Sequence, residues 1–296
     1  MTIRYLLLLF VMSWTVGAEA KLNLVATTPS MGALAREIGA DDINLEVLAP
    51  PDRDPHTLQA RPTMMRSLRS ADMVLAVGAD LEVGWLPVAI SGAANPRILP
   101  GRDGYFEAAA QVNLLDAGGP ADRALGDVHP VGNPHVNLDP QRMAQVGQAL
   151  AVQLGKLDPP NAASYAARAD TFSAKVAERL EDWRKVAAGS PGVMLYHRDA
   201  IYLLDRLGIP LLGEIEPVPG VPPTGSHLKR LLDEYSGRKG VIIYPLYKSS
   251  QVPEKLAGDL GWEAIKLPLD PAKDADGDGY LSLIDEWVVA IASAKK

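Results

Sequence analysis

From Lys21 to Ala79 the apolar residues fall in short blocks whose period changes from one block to the next. "KLNLVATTPS" is apolar and β-branched, "MGALAREIGA" is helix-like, and "INLEVLAP" reads as a second strand closed by Pro50-Pro51. After the turn-forming loop "PDRDPHTLQARP", the segment "TMMRSLRSA" predicts a helix and "DMVLAVGA" a third strand. The same alternation starts again near residue 192. "GVMLYH", "IPLLGEIEP", "GVIIYPLY" and "EAIKLPLD" read as strands, separated by helices in "RDAIYLLDRLG", "GSHLKRLLDEYSG" and "VPEKLAGDLG". Strands alternating with helices predict a mostly parallel sheet covered on both faces. Two such passes predict an α/β fold of two lobes, each a mostly parallel sheet flanked by helices.

The stretch between the passes has only helical period. Asp139-Pro140 is a helix start, and "QRMAQVGQALAVQLGKL" continues until Asp158-Pro159-Pro160 breaks it. Asn161 can cap a longer helix whose apolar residues Tyr165, Ala169, Phe172, Val176, Leu180 and Trp183 step by three or four, the spacing of one helical face. At ~1.5 Å per residue, about 27 residues make a rod of roughly 40 Å. A rod in place of a Gly/Ser hinge predicts limited lobe movement. The expected organisation is a signal peptide at 1–20, an N-terminal lobe at 21–139, connecting helices at 140–188 and a C-terminal lobe at 189–296.

Composition narrows the function. With 47% hydrophobic and 22% charged residues, the chain can bury a sizeable core. Its net charge of −7, with no Lys/Arg block to follow phosphates, excludes nucleic acid as the expected partner. The absence of cysteine removes disulfides, thiolate metal sites, thiol catalysis and N-terminal lipidation. "MTIRYLLLLFVMSWTVGAEA" has the form of a secretory signal, with Arg4 ahead of an apolar run and Ala18-Glu19-Ala20 as the cleavage pattern. The mature chain is therefore expected to start at Lys21 as a soluble periplasmic protein.

Five histidines remain to be placed. His56 lies in the loop after the second strand, His135 just before the connecting helix, and His197 where "GVMLY" ends and a helix opens. Asp270 ends "AIKLPLD". Each sits at a strand-to-helix edge, and ligands of open α/β sheets bind outside the carboxyl ends of the strands. Two come from each lobe, so a cleft between lobes could gather all four. Three imidazole nitrogens and one carboxylate oxygen form a set that zinc accepts. Taken singly, each histidine is more readily a solvated or hydrogen-bonded loop residue; taken jointly, spacing alone leaves both readings open.

The same segments resemble the zinc/manganese class of periplasmic solute-binding proteins that serve ABC transporters. "VATTPSMGALAREIGAD", "DPHTLQARPTMMRSLRSADMVLAVGADLEVGWL", "NPHVNLDP" and "YHRDAIYLLDRLGI" carry the likeness in family order, with "KLPLD…GYLSLIDEW" as a weaker fifth. The resemblance implies two lobes joined by a rigid helix, a metal held between them by His56, His135, His197 and Asp270, and delivery by a monomer to a membrane permease. His129 is then the spare, placed in solvent, with an auxiliary role handing metal inward as the alternative. A histidine at the third ligand position favours Zn²⁺, whereas a glutamate there would favour Mn²⁺ or Fe²⁺. Asp54, Asp199, Glu214 and Glu216 are close enough in sequence to orient the imidazoles. The chain departs from the family in having no His-rich insertion, in Asn137 where an aromatic is common, in the Pro-heavy "EPVPGVPPTGS" and around "IIYPLY".

A second metal signal competes. In "DADGDGYLSLID", Asp274, Asp276, Asp278, Tyr280 and Asp285 occupy positions one, three, five, seven and twelve of an EF-hand-like loop, predicting weak structural Ca²⁺ binding. A solvated acidic turn is the plainer expectation. Two other functions stay open: a periplasmic zinc hydrolase, for which no HExxH or GxSxG pattern is present, and a calcium-dependent adhesion module.

Overall fold

The structure, a computed structural model, describes residues 20–118, 129–218 and 220–295. The expected signal peptide, Ala20 apart, lies outside the described residues. Strands β1 (Leu22–Ala26), β2 (Ile43–Val47), β3 (Met73–Ala76) and β4 (Tyr105–Glu107) form one sheet in the order β2-β1-β3-β4. Strands β5 (Val193–Leu195), β6 (Leu211–Glu214), β7 (Val241–Pro245) and β8 (Glu263–Leu267) form a second in the order β6-β5-β7-β8. Every pairing is parallel. Of the four inner strands, β3, β5 and β7 are buried along their whole length, which explains their unbroken apolar sequence. In each sheet the chain goes first to one side of the opening strand and then to the other. The resulting switch points, β1/β3 and β5/β7, are where α/β sheets open a crevice.

Among the described residues the α-helices are α1 (Pro29–Gly39), α2 (Pro62–Arg69), α3 (Leu86–Ala93), α4 (Pro140–Leu157), α5 (Ala162–Ala187), α6 (Ile201–Leu207), α7 (Gly225–Tyr235), α8 (Gln251–Leu260) and α9 (Gly277–Ser293). The α4 start is the expected one: Asp139 accepts from Gln141 N and Arg142 N, and Pro140 takes a position needing no N–H partner. Helix α5 has 26 residues and buries the predicted stripe, Tyr165 to Trp183, extended by Ala187. Asn161 stands at its cap position, but its amide is spent on Asp158 and makes no cap bond. Strand β4 and helix α3 were not apparent from the sequence pattern.

The lobes do not hang loosely from the rod. One apolar core runs from Leu24 and Met31 through Phe172 and Trp183 to Trp287 and Ile291, while two smaller cores lie on the outer faces of the sheets. Helix α9 returns to pack on α5 and α1. Across the seam, Arg206 on α6 donates twice to the buried Asp139 at 3.1 and 2.9 Å, and Tyr202 OH donates to Asn133 O at 2.6 Å. These contacts fix the strand ends that face one another.

The acidic segment folds differently from an EF-hand loop. Helix α9 begins at Gly277, inside the twelve positions, so Tyr280 is a buried helical residue and its carbonyl faces along the helix. Asp276 caps that helix through Gly279 N, Asp278 pairs with Lys175, and Asp285 accepts from Arg179 and Trp183. The carboxylates that would have converged on an ion point to separate partners on α5 and at the α9 cap; for Asp274 the structure gives no partner.

Candidate metal centre

His56 lies in a three-residue helical turn, Pro55–Thr57, beyond the carboxyl end of β2. One oxygen of Asp54 accepts both His56 N at 3.0 Å and His56 Nδ1–H at 2.8 Å. That bond fixes the tautomer and aims Nε2 away from Asp54. Burial pushes the Asp54 carboxyl up, yet the hydrogen bond and charge of His56 bring it to a net value below the ordinary range. Trp85 Nε1 donates to Pro55 O at 2.8 Å and pins the turn to the first lobe.

His129 is not in solvent. It is half-buried, and its Nδ1–H donates to Ala79 O at 3.1 Å. That carbonyl is presented by Gly78, Ala79 and Asp80, three successive residues in the left-handed region. A non-glycine residue there is costly, and the buried Glu82 accepts from Val77 N and Gly78 N and holds the bend. His129 Nε2 then stands 3.1 Å from His56 Nε2.

His135 precedes the short turn Val136–Leu138 at the foot of α4, and Asn133 accepts its backbone N–H at 2.9 Å. The Asn133 amide also donates to Arg198 O at 3.0 Å, so the His135 segment is tied to the His197 segment. His197 follows β5 and leads into the turn Arg198–Ala200, which carries Asp199 inward. Ring centroids lie 5.1 Å apart for His56–His135 and 5.4 Å for His135–His197. His227, the fifth histidine, is elsewhere, bonded to Glu214 O from α7.

Two groups of donor atoms result, each within 4.8 Å: His56, His129 and His135, and His135, His197 and Asp199. His135 belongs to both. Among the described residues, the buried side-chain polar atoms without a hydrogen-bond partner are His135 Nε2, both ring nitrogens of His197 and Asp199 Oδ1. All of them lie in the second group. His135 Nε2 and Asp199 Oδ1 are 3.6 Å apart, too long for a hydrogen bond. Two donors at ~2.0 Å from one zinc ion and at the tetrahedral angle lie roughly 3.3 Å apart, so this spacing and the His56–His129 spacing both suit a shared ion. Burial, with the charges of His56 and His197, holds His135 well below the usual imidazole range. Burial takes His197 down to about 3 and, aided by the charge of Asp54, raises Asp199 to about 7. Neutral imidazoles are the form that binds metal.

Asp270 joins neither group. It lines the same small cavity as His135 and Asn137, but its Oδ1 accepts from Ser30 N at 2.8 Å and Ser30 Oγ at 2.5 Å. The carboxylate thus sits on the amino end of α1, where the helix dipole favours it. Of the four candidate orienting acids, Asp54 and Asp199 approach imidazoles. Glu214 pairs with Arg198, and Glu216 with Lys248 and Gly220 N. Asp199, which the sequence offered only as one of four possible orienting acids, is the one that brings a buried, unbonded carboxylate oxygen to His135 and His197.

The family described as "ZnuA: Zinc-uptake complex component A periplasmic" matches residues 24–294. A manganese ABC transporter substrate-binding lipoprotein of Streptococcus gordonii is 26% identical over 156 residues, 52% of this chain and 47% of that one. The high-affinity zinc uptake system protein ZnuA of Paracoccus denitrificans is 24% identical over 290 residues, 88% of this chain and 86% of that one. The chain spans about half the length of the streptococcal relatives it matches. A crystal structure of ZnuA superposes with a TM-score of 0.75 at 20% identity, covering 94% of this chain and all of that one. The family and these relatives are metal-binding transport proteins, not enzymes. No helix among the described residues is long and apolar enough to cross a membrane.

Proposed function

The chain belongs to the zinc-uptake complex component A family, and from that premise we propose that it captures Zn²⁺ between its lobes in the periplasm and delivers it, as a monomer, to an ABC permease. His56, His135 and His197 supply three nitrogens in this reading, and Asp270 closes the set from the seam with its remaining oxygen. The observation that carries it is the group of buried, unbonded donor atoms on His135, His197 and Asp199. Such atoms cost roughly 1–3 kcal/mol each when left unsatisfied, and a cation at their centre removes that cost. A donor set dominated by imidazole also ranks zinc above manganese, which prefers carboxylates and water. The donor chemistry favours the Paracoccus zinc protein over the Streptococcus manganese protein as a guide, where identities of 24% and 26% favour neither.

Capture also needs an ion to reach donors already deprotonated. Burial keeps His135 and His197 neutral at physiological pH, so no proton has to leave them first. The test is titration of the chelator-stripped full chain with Zn²⁺ and Mn²⁺, with bound metal counted by elemental analysis. One tight zinc, displaced by manganese only at large excess, is the expected result. Failure to retain either metal would end the reading, and tighter manganese would reverse the choice of cargo.

A further inference from the structure

We infer that His129 is a direct ligand of the transported metal, so that the ion meets four imidazoles, His56, His129, His135 and His197. The inference rests on the reading of the site as a transition-metal site and changes its composition. Its basis is the pairing of two fixed tautomers. His56 Nδ1–H is committed to the Asp54 carboxylate and His129 Nδ1–H to the Ala79 carbonyl, an acceptor that can only receive a proton. Both Nε2 atoms therefore present lone pairs, and they face each other at 3.1 Å.

Two lone pairs at that distance repel unless a positive charge lies between them. A proton would serve two nitrogens. The group has a third, however, since His135 brings a ring nitrogen within 4.8 Å of both, and three converging nitrogens are served by a metal ion and not by one proton. His135 is shared with the second group, where its Nε2 lies 3.6 Å from Asp199 Oδ1; His129 and His197 fall in different groups, so an ion that takes all four imidazoles must draw them inward around His135.

Four imidazoles change what the carboxylates do. With the nitrogens filling a tetrahedral shell, Asp199 becomes a neighbour that offsets the ion's charge, and Asp270 keeps its bonds to Ser30. The cargo class narrows as well. An all-imidazole shell selects the nitrogen-preferring divalent ions, zinc, nickel and copper, and disfavours manganese.

The test uses the full chain and His129→Asn. The asparagine amide can still donate to Ala79 O but offers nothing in place of Nε2, so the loop keeps its anchor. Zinc-edge X-ray absorption should count four imidazoles in the parent chain and three in the variant. Zinc affinity should fall by more than the ~10–100-fold that loss of an orienting partner costs, with the far-ultraviolet circular dichroism of the metal-free variant unchanged. Should the variant unfold, the parent's imidazole count decides alone. Three imidazoles in the parent, or unchanged affinity in a folded variant, would overturn the role of His129 and leave the metal-site reading standing. A parent chain that retains no zinc would remove both.

Discussion

The two walls of the proposed metal site are built on opposite terms. On the first-lobe wall, His56 and His129 each have Nδ1–H tied to a fixed acceptor, Asp54 or Ala79 O. On the second-lobe wall, neither nitrogen of His197 has a partner, and Asp199 leaves Oδ1 unbonded in the interior. The first wall has its ring orientations set by the protein, whereas the second is a group of buried polar atoms with no protein partner. In the proposed site, orientation and affinity would thus be divided between the lobes, with His135, which belongs to both groups, coupling them.

That division sets the largest expected effect. At free zinc about a thousand times the dissociation constant, binding should stabilise the fold by about 4 kcal/mol, which for a chain of this size raises the melting temperature by roughly 10 °C. Mass action predicts this for any tight ligand; where the protection falls tests the comparison. Hydrogen exchange should slow most at residues 196–200 and least at 54–58. Equal protection of the two segments would break the contrast between the walls.

Next comes His135→Ala. As one of four donors in a site worth roughly 10–16 kcal/mol, His135 should contribute about 3–4 kcal/mol, or a loss of roughly 100–1,000-fold in zinc affinity. Competition against a chromophoric chelator measures it. A loss no greater than that of an orienting residue would mean the two groups bind separate ions.

Asp54→Asn should follow, at ~10–100-fold, because it removes charge from the acceptor that orients His56 and leaves the donor set intact. Zinc-edge absorption of this variant should retain the parent's imidazole count. A lost imidazole would show that His56 depends on Asp54 for its place and not only for its orientation.

How much of this the sequence disclosed follows from the range of the forces involved. The strands and the α5 stripe were legible because one buried face imposes a local period. His56, His135 and His197 were legible as candidates because strand ends can be read from the same period. Strand β4 has three residues and so barely one alternation, and α3 is apolar almost throughout with Pro87 and Gly92 inside it, so neither has a readable period. For His129 and Asp199, named from the sequence only as an alternative auxiliary ligand and as one of four possible orienting acids, the placement was hidden for another reason. The first is set by a carbonyl 50 residues upstream, and the second is buried by the closure of the seam. Asp270 shows the converse: its position at a strand end was readable, while its engagement with Ser30, 240 residues away, was not.

The acidic segment gives the smallest prediction and the control for the contrast. Its spacing matches a cation loop in five positions, more than Asp199 has to recommend it. Yet Asp276, Asp278 and Asp285 each have a partner, Gly279 N, Lys175 or Arg179, whereas Asp199 Oδ1 has none. What sets Asp199 apart from these acids is that the fold leaves its Oδ1 unspent. Asp278 is 63% exposed, and an exposed pair contributes ~0–1 kcal/mol. Asp278→Asn should therefore shift the melting temperature by a degree or two at most, leave zinc affinity unchanged, and alter no response to millimolar Ca²⁺, because the parent should show none. A calcium-dependent rise in parent stability, abolished by this substitution, would mean that committed carboxylates can still be recruited and that the unspent-donor criterion fails.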